Sequence, residues 1–298
     1  MVATLPQRHQ LRLEQALGQW SHWDCGVALS GKPAITAVLG PGHSNHSVQV
    51  TAPDGRAFVV RLDGVDTDHH GISRQAEWRA LKRAHGQRLA PRPCYFNPDL
   101  GVLVCAYLPP DARQRQCPAD TAHLLRGIHA LPGVHFRLDL GERIAHYQRR
   151  CEQVAPRHLA ELSPFEGPIN RVLQWLRDGT DRQVLCHNDL LAANRLYSGG
   201  HLWSLDWEYC AMGSRWFDLA VVCSGDDLDD DDTAALLEAY LQRPPGEIDY
   251  LYLAHFGLLY RYLELLWFAS VSPQATDWPH RLAALDSAAR ELVNRGNW

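Results

Sequence analysis

Three oxygen-bearing side chains, Asp189, Asn194 and Asp206, fall within one stretch of the 298-residue chain, Val184 to Ala220. The hydrophobic, strand-like run Gln183-Val184-Leu185-Cys186 is followed by His187-Asn188-Asp189, and Asn194 lies five residues beyond Asp189. A Gly199-Gly200 turn then leads into a second hydrophobic run that closes on Asp206, twelve residues after Asn194. Transfer of a phosphoryl group to an alcohol needs a carboxylate that orients the hydroxyl and accepts its proton. It also needs hard oxygen ligands that hold Mg²⁺ against the phosphates. Asp189 fits the first role; Asn194 and Asp206 fit the second. A pair of strands joined through Gly199-Gly200 brings both loops to one end, where the three oxygens can converge. An Asp followed by an Asn at this spacing is a weak pattern alone, and the Asp that closes the next strand makes it specific.

The elements that must position these groups follow from periodicity. Gln7 to Trp20 predicts a helix with Leu11, Leu13, Leu17 and Trp20 on its apolar face. Between Ala34 and Asp63, three short apolar runs separated by Gly40-Pro41-Gly42-His43-Ser44-Asn45 and Pro53-Asp54-Gly55 predict an antiparallel meander. A helix over Ile72 to Gln87 and strands over Cys94 to Phe96 and Val102 to Tyr107 follow. Pro109-Pro110 marks a boundary, giving lobes at residues 1–107 and 108–298. The second lobe reads as helices over Asp120 to Leu131, Leu140 to His158, Pro168 to Asp178, Thr233 to Leu241, Ile248 to Val271 and Trp278 to Arg295. Two strand-like runs interrupt them, Gln183 to Cys186 and Leu202 to Leu205. The acidic run Asp226 to Asp232 reads as a solvated loop that caps the next helix. The expected class is α+β.

The segment Val184 to Ala220 resembles the catalytic core of the aminoglycoside phosphotransferase and choline kinase superfamily, which shares the two-lobed fold of protein kinases. Asp206-Trp207-Glu208-Tyr209, Gly213 and Phe217-Asp218-Leu219-Ala220 are most similar to its bacterial choline kinase and thiamine kinase branch. The resemblance implies a small lobe of antiparallel sheet plus helix that binds nucleotide and a larger, mainly helical lobe for catalysis and substrate. It implies Asp189 as catalytic base, Asn194 and Asp206 as Mg²⁺ ligands, and His187 and Asp218 as braces of the catalytic loop.

The first half adds independent residues. Gly42-His43-Ser44-Asn45 resembles the turn that choline and thiamine kinases fold over the ATP phosphates, which implicates Gly42, Ser44 and Asn45. Phe58-Val59-Val60-Arg61 resembles the strand that carries a phosphate-binding lysine, and here the position is Arg61. Arginine is a competent bidentate phosphate ligand. Arg74-x-x-Glu77 resembles the segment that supplies the acidic partner of that cation, although Glu77 reads equally as an exposed helix charge. Val104 to Leu108, with Tyr107, matches the hinge that offers backbone hydrogen bonds to adenine.

For the acceptor, Trp207, Glu208 and Tyr209 follow Asp206, and Glu264 and Trp267 sit in an aromatic-rich helix. Aromatic faces with a carboxylate suit an organic cation such as thiamine or choline, while aromatics at helical spacing also serve as core. The resemblance to bacterial thiamine kinases tips the expectation towards thiamine. A net charge of −5 without a basic stripe argues against nucleic acid as a partner, and none is expected. No apolar run reaches membrane-spanning length, and Arg8, Arg12 and Glu14 break up the N-terminal segment, so a cytoplasmic monomer or homodimer is expected. Eight cysteines without a Cys-x-x-Cys pair read as reduced thiols. Two other readings stand beside the kinase. One is a nucleotide-binding pseudokinase, on the strength of Arg61. The other is a metal-dependent phosphoesterase built on His187, Asp189, Asp206 and Glu208.

Overall fold

Alternation of apolar residues through the first third of the chain builds a sheet. The computed structural model describes residues 5–39, 45–64, 71–112, 116–178, 182–274 and 277–294. Strands β1 (Ala34–Leu39), β2 (Asn45–Thr51), β3 (Ala57–Asp63), β4 (Pro93–Asn97) and β5 (Val102–Ala106) form one antiparallel sheet, in the order β1-β2-β3-β5-β4. Register sets Val48 opposite Val60 and Val60 opposite Val104, so one face carries Val48, Val50, Phe58, Val60, Leu62, Val102 and Val104. Helix α1 (Gln7–Gly18) closes over this face with Leu13 and Leu17, and Trp23 completes the core. Arg61, one residue out of phase with Val60 and Leu62, therefore points to the opposite face. Helix α2 (Arg74–Gly86) meets it there; it starts where Ser73 Oγ accepts from Ala76 N at 3.3 Å.

The described residues fall into two compact units, one within Met1–Arg115 plus Arg195–Cys210 and the other within Gln116–Asn194 plus Ala211–Trp298. The first unit thus includes a hairpin, β7 (Arg195–Ser198) with β8 (His201–Ser204). Gly199 and Gly200, at φ of 61° and 71°, supply the two left-handed positions that its tight turn demands. Their amides donate to the two Asp111 carboxylate oxygens at 2.9 and 2.8 Å.

The second unit is helical around a short ladder of β6 (Gln183–Cys186) and β9 (Ala211–Ser214). Its helices are α3 (Pro118–His129), α4 (Leu140–Val154), α5 (Pro156–Leu162), α6 (Glu166–Asp178), α7 (Arg215–Gly225), α8 (Asp230–Leu241), α9 (Glu247–Val271) and α10 (Trp278–Asn294). The long α9 packs against α4, α7 and α10. The single helix expected from Leu140 to His158 is two. The backbone turns at Ala155 (φ −148°) and restarts with Pro156, whose missing N–H suits a first helical position. Asp229 caps α8 by accepting from Asp232 N at 2.8 Å, as the acidic run anticipates, and the helix begins earlier than Thr233 for that reason. All eight cysteines are free thiols, with Cys117 exposed. Among the described residues, no helix is long and apolar enough to cross a membrane.

Candidate active site

In the first unit the site is a buried network of charge. Arg61 on β3 holds both Glu77 oxygens, Nη1 to Oε1 at 2.5 Å and Nη2 to Oε2 at 2.8 Å, and Nη1 also reaches Asp206 Oδ1 at 2.9 Å. Glu77 is 1% exposed, so it is an interior partner and not a surface helix charge. Arg74 adds a second guanidinium, donating to Glu77 Oε2 (2.8 Å), Glu208 Oε2 (3.1 Å) and Asp63 Oδ2 (2.9 Å). Asn45 Nδ2 reaches the same Glu208 oxygen at 2.8 Å, which ties the start of β2 to the segment after Asp206.

The electrostatics follow from the count of charges. Burial alone would raise Glu77, but Arg61 and then Arg74 outweigh it and hold the carboxyl below its usual range. Arg61 is likewise penalised by burial, yet Glu77 and Asp206 keep it firmly protonated. Arg61 and Arg74 together face four carboxylates: Asp63, Glu77, Asp206 and Glu208. The excess shows at Glu208, whose carboxyl is pushed up to about 7 by burial and by the charge of Asp206. A divalent cation on Asp206 would redress that excess, and an oxygen-only donor set is what Mg²⁺ takes. Asp206 is also the outward member of the cluster, its side chain 34% exposed. It holds a left-handed φ of 56°, a conformation that costs a non-glycine residue about 1–3 kcal/mol. Arg61 Nε and Asn45 Oδ1 are buried without hydrogen-bond partners among the described residues, and the former is a donor that a phosphate oxygen would satisfy.

In the second unit the site is a loop held by its backbone. Asp218 on α7 is fully buried and accepts from two successive loop amides, His187 N at 2.8 Å and Asn188 N at 2.6 Å. His129 Nε2 lies 3.0 Å from Asp218 Oδ2, and its Nδ1 lies 2.7 Å from Tyr240 Oη, which fixes the carboxylate in turn. Asn188 takes φ 63°, so the chain turns sharply before Asp189. Asn194 Nδ2 donates to both Asp189 O and Asp189 Oδ2 at 2.8 Å. That bond sets the carboxylate and leaves the amide's oxygen end as the one offered to a cation.

The remaining predicted residues are placed as follows. Trp207 has no solvent-facing surface, and its indole N–H bonds Ser204 Oγ at 3.1 Å, a packing role. Glu208 belongs to the Arg74 network, and Tyr209 is half-buried beside it in sequence. Tyr107 N donates to Ala57 O at 3.0 Å, continuing the β3–β5 ladder. Glu264 on α9 accepts from Arg281 Nη1 at 2.5 Å and from Tyr260 Oη at 3.0 Å, so its charge is already answered by α10. Trp267 is half-buried, its ring 5.0 Å from that of Phe268. Gly42 and Ser44 lie outside the described residues. Two participants escaped the sequence reading. Arg74 stands four positions before Trp78 with nothing in its neighbours to mark it as interior. Tyr260 lies close enough to Asp189 for that charge, after burial and Glu264, to raise its phenol well above the usual range. The four-residue spacing of Tyr260 and Glu264 was the available signal.

The model of the phosphotransferase enzyme family matches residues 36–253, and the chain belongs to that family. It is 28% identical over 195 residues to a thiamine kinase of Salmonella paratyphi A, a match covering 64% of this chain and 66% of that one, just under two thirds of the relative's length. The choline kinase LicA of Streptococcus pneumoniae superposes with a TM-score of 0.75 at 19% identity, covering 96% of this chain and 100% of that one. LicA in complex with AMP gives 0.72 at 22% identity, covering 89% and 94%. These likenesses show the fold, which is the α+β fold of the protein-kinase-like phosphotransferases.

Proposed function

We propose that the protein is an ATP- and Mg²⁺-dependent kinase that phosphorylates the hydroxyl of a small organic molecule. The observation that carries this reading is the Arg61–Glu77–Asp206 cluster, a buried cation locked on an acidic helix residue with an outward carboxylate beside it. A guanidinium fixed by a carboxylate, with an outward carboxylate that a divalent cation can share, suits nucleotide phosphates, and membership of the phosphotransferase enzyme family supports that use. Arg61 keeps its place through Glu77 and presents charge to the phosphates, with Asn45 joined to the same network through Glu208 and Arg74. Asp206 and the oxygen end of Asn194 serve as ligands for Mg²⁺, which when bound neutralises charge building on the phosphate oxygens. Asp189, oriented by Asn194, accepts a hydrogen bond from the acceptor hydroxyl, aligns it for in-line attack and takes its proton.

The acceptor we favour is an organic cation, thiamine before choline. The likeness to a thiamine kinase supports that order, as does the aromatic stretch of α9 around Tyr260 and Trp267. Because Glu264 is paired with Arg281, cation–π contact and not a free carboxylate would carry recognition there. The phosphoesterase reading finds no support in the geometry. Among the described residues, the one grouping of three His, Cys, Asp or Glu side chains close enough to share a metal is His129–Cys186–Asp218, which braces the loop and includes none of the four residues that reading uses.

Nucleotide titration of the Asp206→Ala variant tests the metal role: affinity for ATP with Mg²⁺ should fall at least about tenfold, while affinity without Mg²⁺ changes little. Unchanged Mg²⁺-dependent affinity would remove Asp206 from the ligand set. Turnover with thiamine, choline and ethanolamine in parallel tests the acceptor, and preference for an uncharged alcohol would overturn the cationic assignment.

A further inference from the structure

The helical unit contains a cleft of about 680 Å³ whose polar wall is almost entirely cationic: Arg126, Arg182, Arg215 and Arg243, with His129 and Tyr240. Among the described residues no carboxylate lines it. Arg243 is satisfied, its Nη1 and Nη2 donating to the two Asp249 oxygens at 2.6 and 2.8 Å. His129 is satisfied as well, by Tyr240 and Asp218. The other three guanidiniums make no ion pair among the described residues, although Arg215 shares a hydrogen bond with Tyr240 and lies within electrostatic reach of Asp249. Arg182 is exposed, Arg126 is half-buried at the end of α3, and Arg215 opens α7. Arg215 Nε is buried with no hydrogen-bond partner, and its guanidinium stands 5.4 Å from the Trp216 ring centroid.

Three cations without an ion pair among the described residues share one concave wall and repel one another, and the buried Arg215 Nε lacks an acceptor, which is unfavourable. Among the described residues the nearby carboxylates, Asp218 and Asp249, are held by His129 and Arg243 and do not line the cleft. The chemistry that satisfies such a wall is a phosphate group, whose oxygens match the planar fork of arginine. Val184 and Leu241 add apolar surface to the same cleft, which is larger than a bare phosphate needs.

We propose that this cleft is a binding site for an organic phosphate, with its anion taken by Arg126, Arg182 and Arg215 and its carbon skeleton laid against Val184 and Leu241. The site is separate from the phosphoryl-transfer residues and contains neither Asp189 nor Asn194. It adjoins them through His129, whose far ring nitrogen meets the carboxylate that holds the Asp189 loop.

Calorimetric titration of the intact protein at fixed ionic strength tests this, with phenyl phosphate and inorganic phosphate as probes. Phenyl phosphate should bind saturably and more tightly than inorganic phosphate. The R126Q/R182Q variant, altered at one half-buried and one exposed side chain, should bind it at least about tenfold more weakly, since each lost contact is charge-assisted. Arg182→Gln alone should show a smaller loss in the same direction, and Asp206→Ala should bind as the native protein does. Absence of saturable binding, binding by R126Q/R182Q equal to native, or loss of binding in Asp206→Ala would each overturn the site. Equal affinity for inorganic phosphate would overturn its assignment to an organic ligand.

Discussion

The cluster around Arg61 and the loop around Asp189 are held by different forces. In the first, side chains hold side chains: two guanidiniums and four carboxylates share an interior where every charge depends on a partner. In the second, backbone does the holding, because the Asp218 carboxylate collects two backbone amides while Asp189 is half-buried and takes a hydrogen bond from Asn194. The difference predicts where damage goes. Removing Glu77, the carboxylate shared by both guanidiniums, should destabilise that region, since uncompensated buried charge is left behind. Changing Asp189 should leave the fold alone and remove the chemistry.

The largest effect sharpens that contrast. Asp189→Asn should lower turnover about a hundred- to ten-thousandfold, as loss of a general base does, with nucleotide affinity and melting temperature near native. A variant that retains native turnover would break the assignment. Next, Glu77→Gln should destabilise the protein by about 3–5 kcal/mol in urea denaturation, because Arg61 and Arg74 lose their shared counter-charge. Stability within experimental error of native would contradict the buried-network account. Asp218→Asn keeps one acceptor oxygen and turns an amide N–H towards another donor. It should cost about 1–3 kcal/mol of stability and slow turnover together.

The smallest effect is a pH slope. The Glu208 carboxyl is raised from 4.5 to about 7 in the folded protein. Between those values the folded state holds a proton that the unfolded chain has lost, so stability falls as pH rises through this window. Below it both states are protonated, and above it both are charged. Glu208→Gln should flatten the slope between pH 4.5 and 7 in melting experiments, and a slope identical to native would place the titration elsewhere.

The two regions also differ in how far they were legible. Asp189, Asn194 and Asp206 announced themselves because their spacing is fixed by a short loop and a two-glycine hairpin, and the strands and helices that carry them follow simple periodicities. The fold class is legible for the same reason. What the chain order conceals is long-range pairing. The resemblance already offered Glu77 as the partner of Arg61, but Arg74 entering the same network and Glu208 turning to Asn45 across 163 residues depend on packing, which no local pattern encodes. Trp207 and Glu264 illustrate the converse. Both have the residue type for ligand binding, yet burial against Ser204 and pairing with Arg281 already occupy them. The strand Ala211–Ser214 went unread because Ala-Met-Gly-Ser carries no β-branched residue, and it forms only by pairing with Gln183–Cys186.

The most direct test of the central claim is transfer of the γ-phosphoryl group from labelled ATP, with Mg²⁺, to thiamine and to choline, in native protein and in Asp189→Asn. The account predicts a phosphorylated alcohol and ADP in equal amounts from the native protein, and neither from the variant. ATP that fails to bind the native protein in the presence of Mg²⁺, or product formed equally by both proteins, would contradict it.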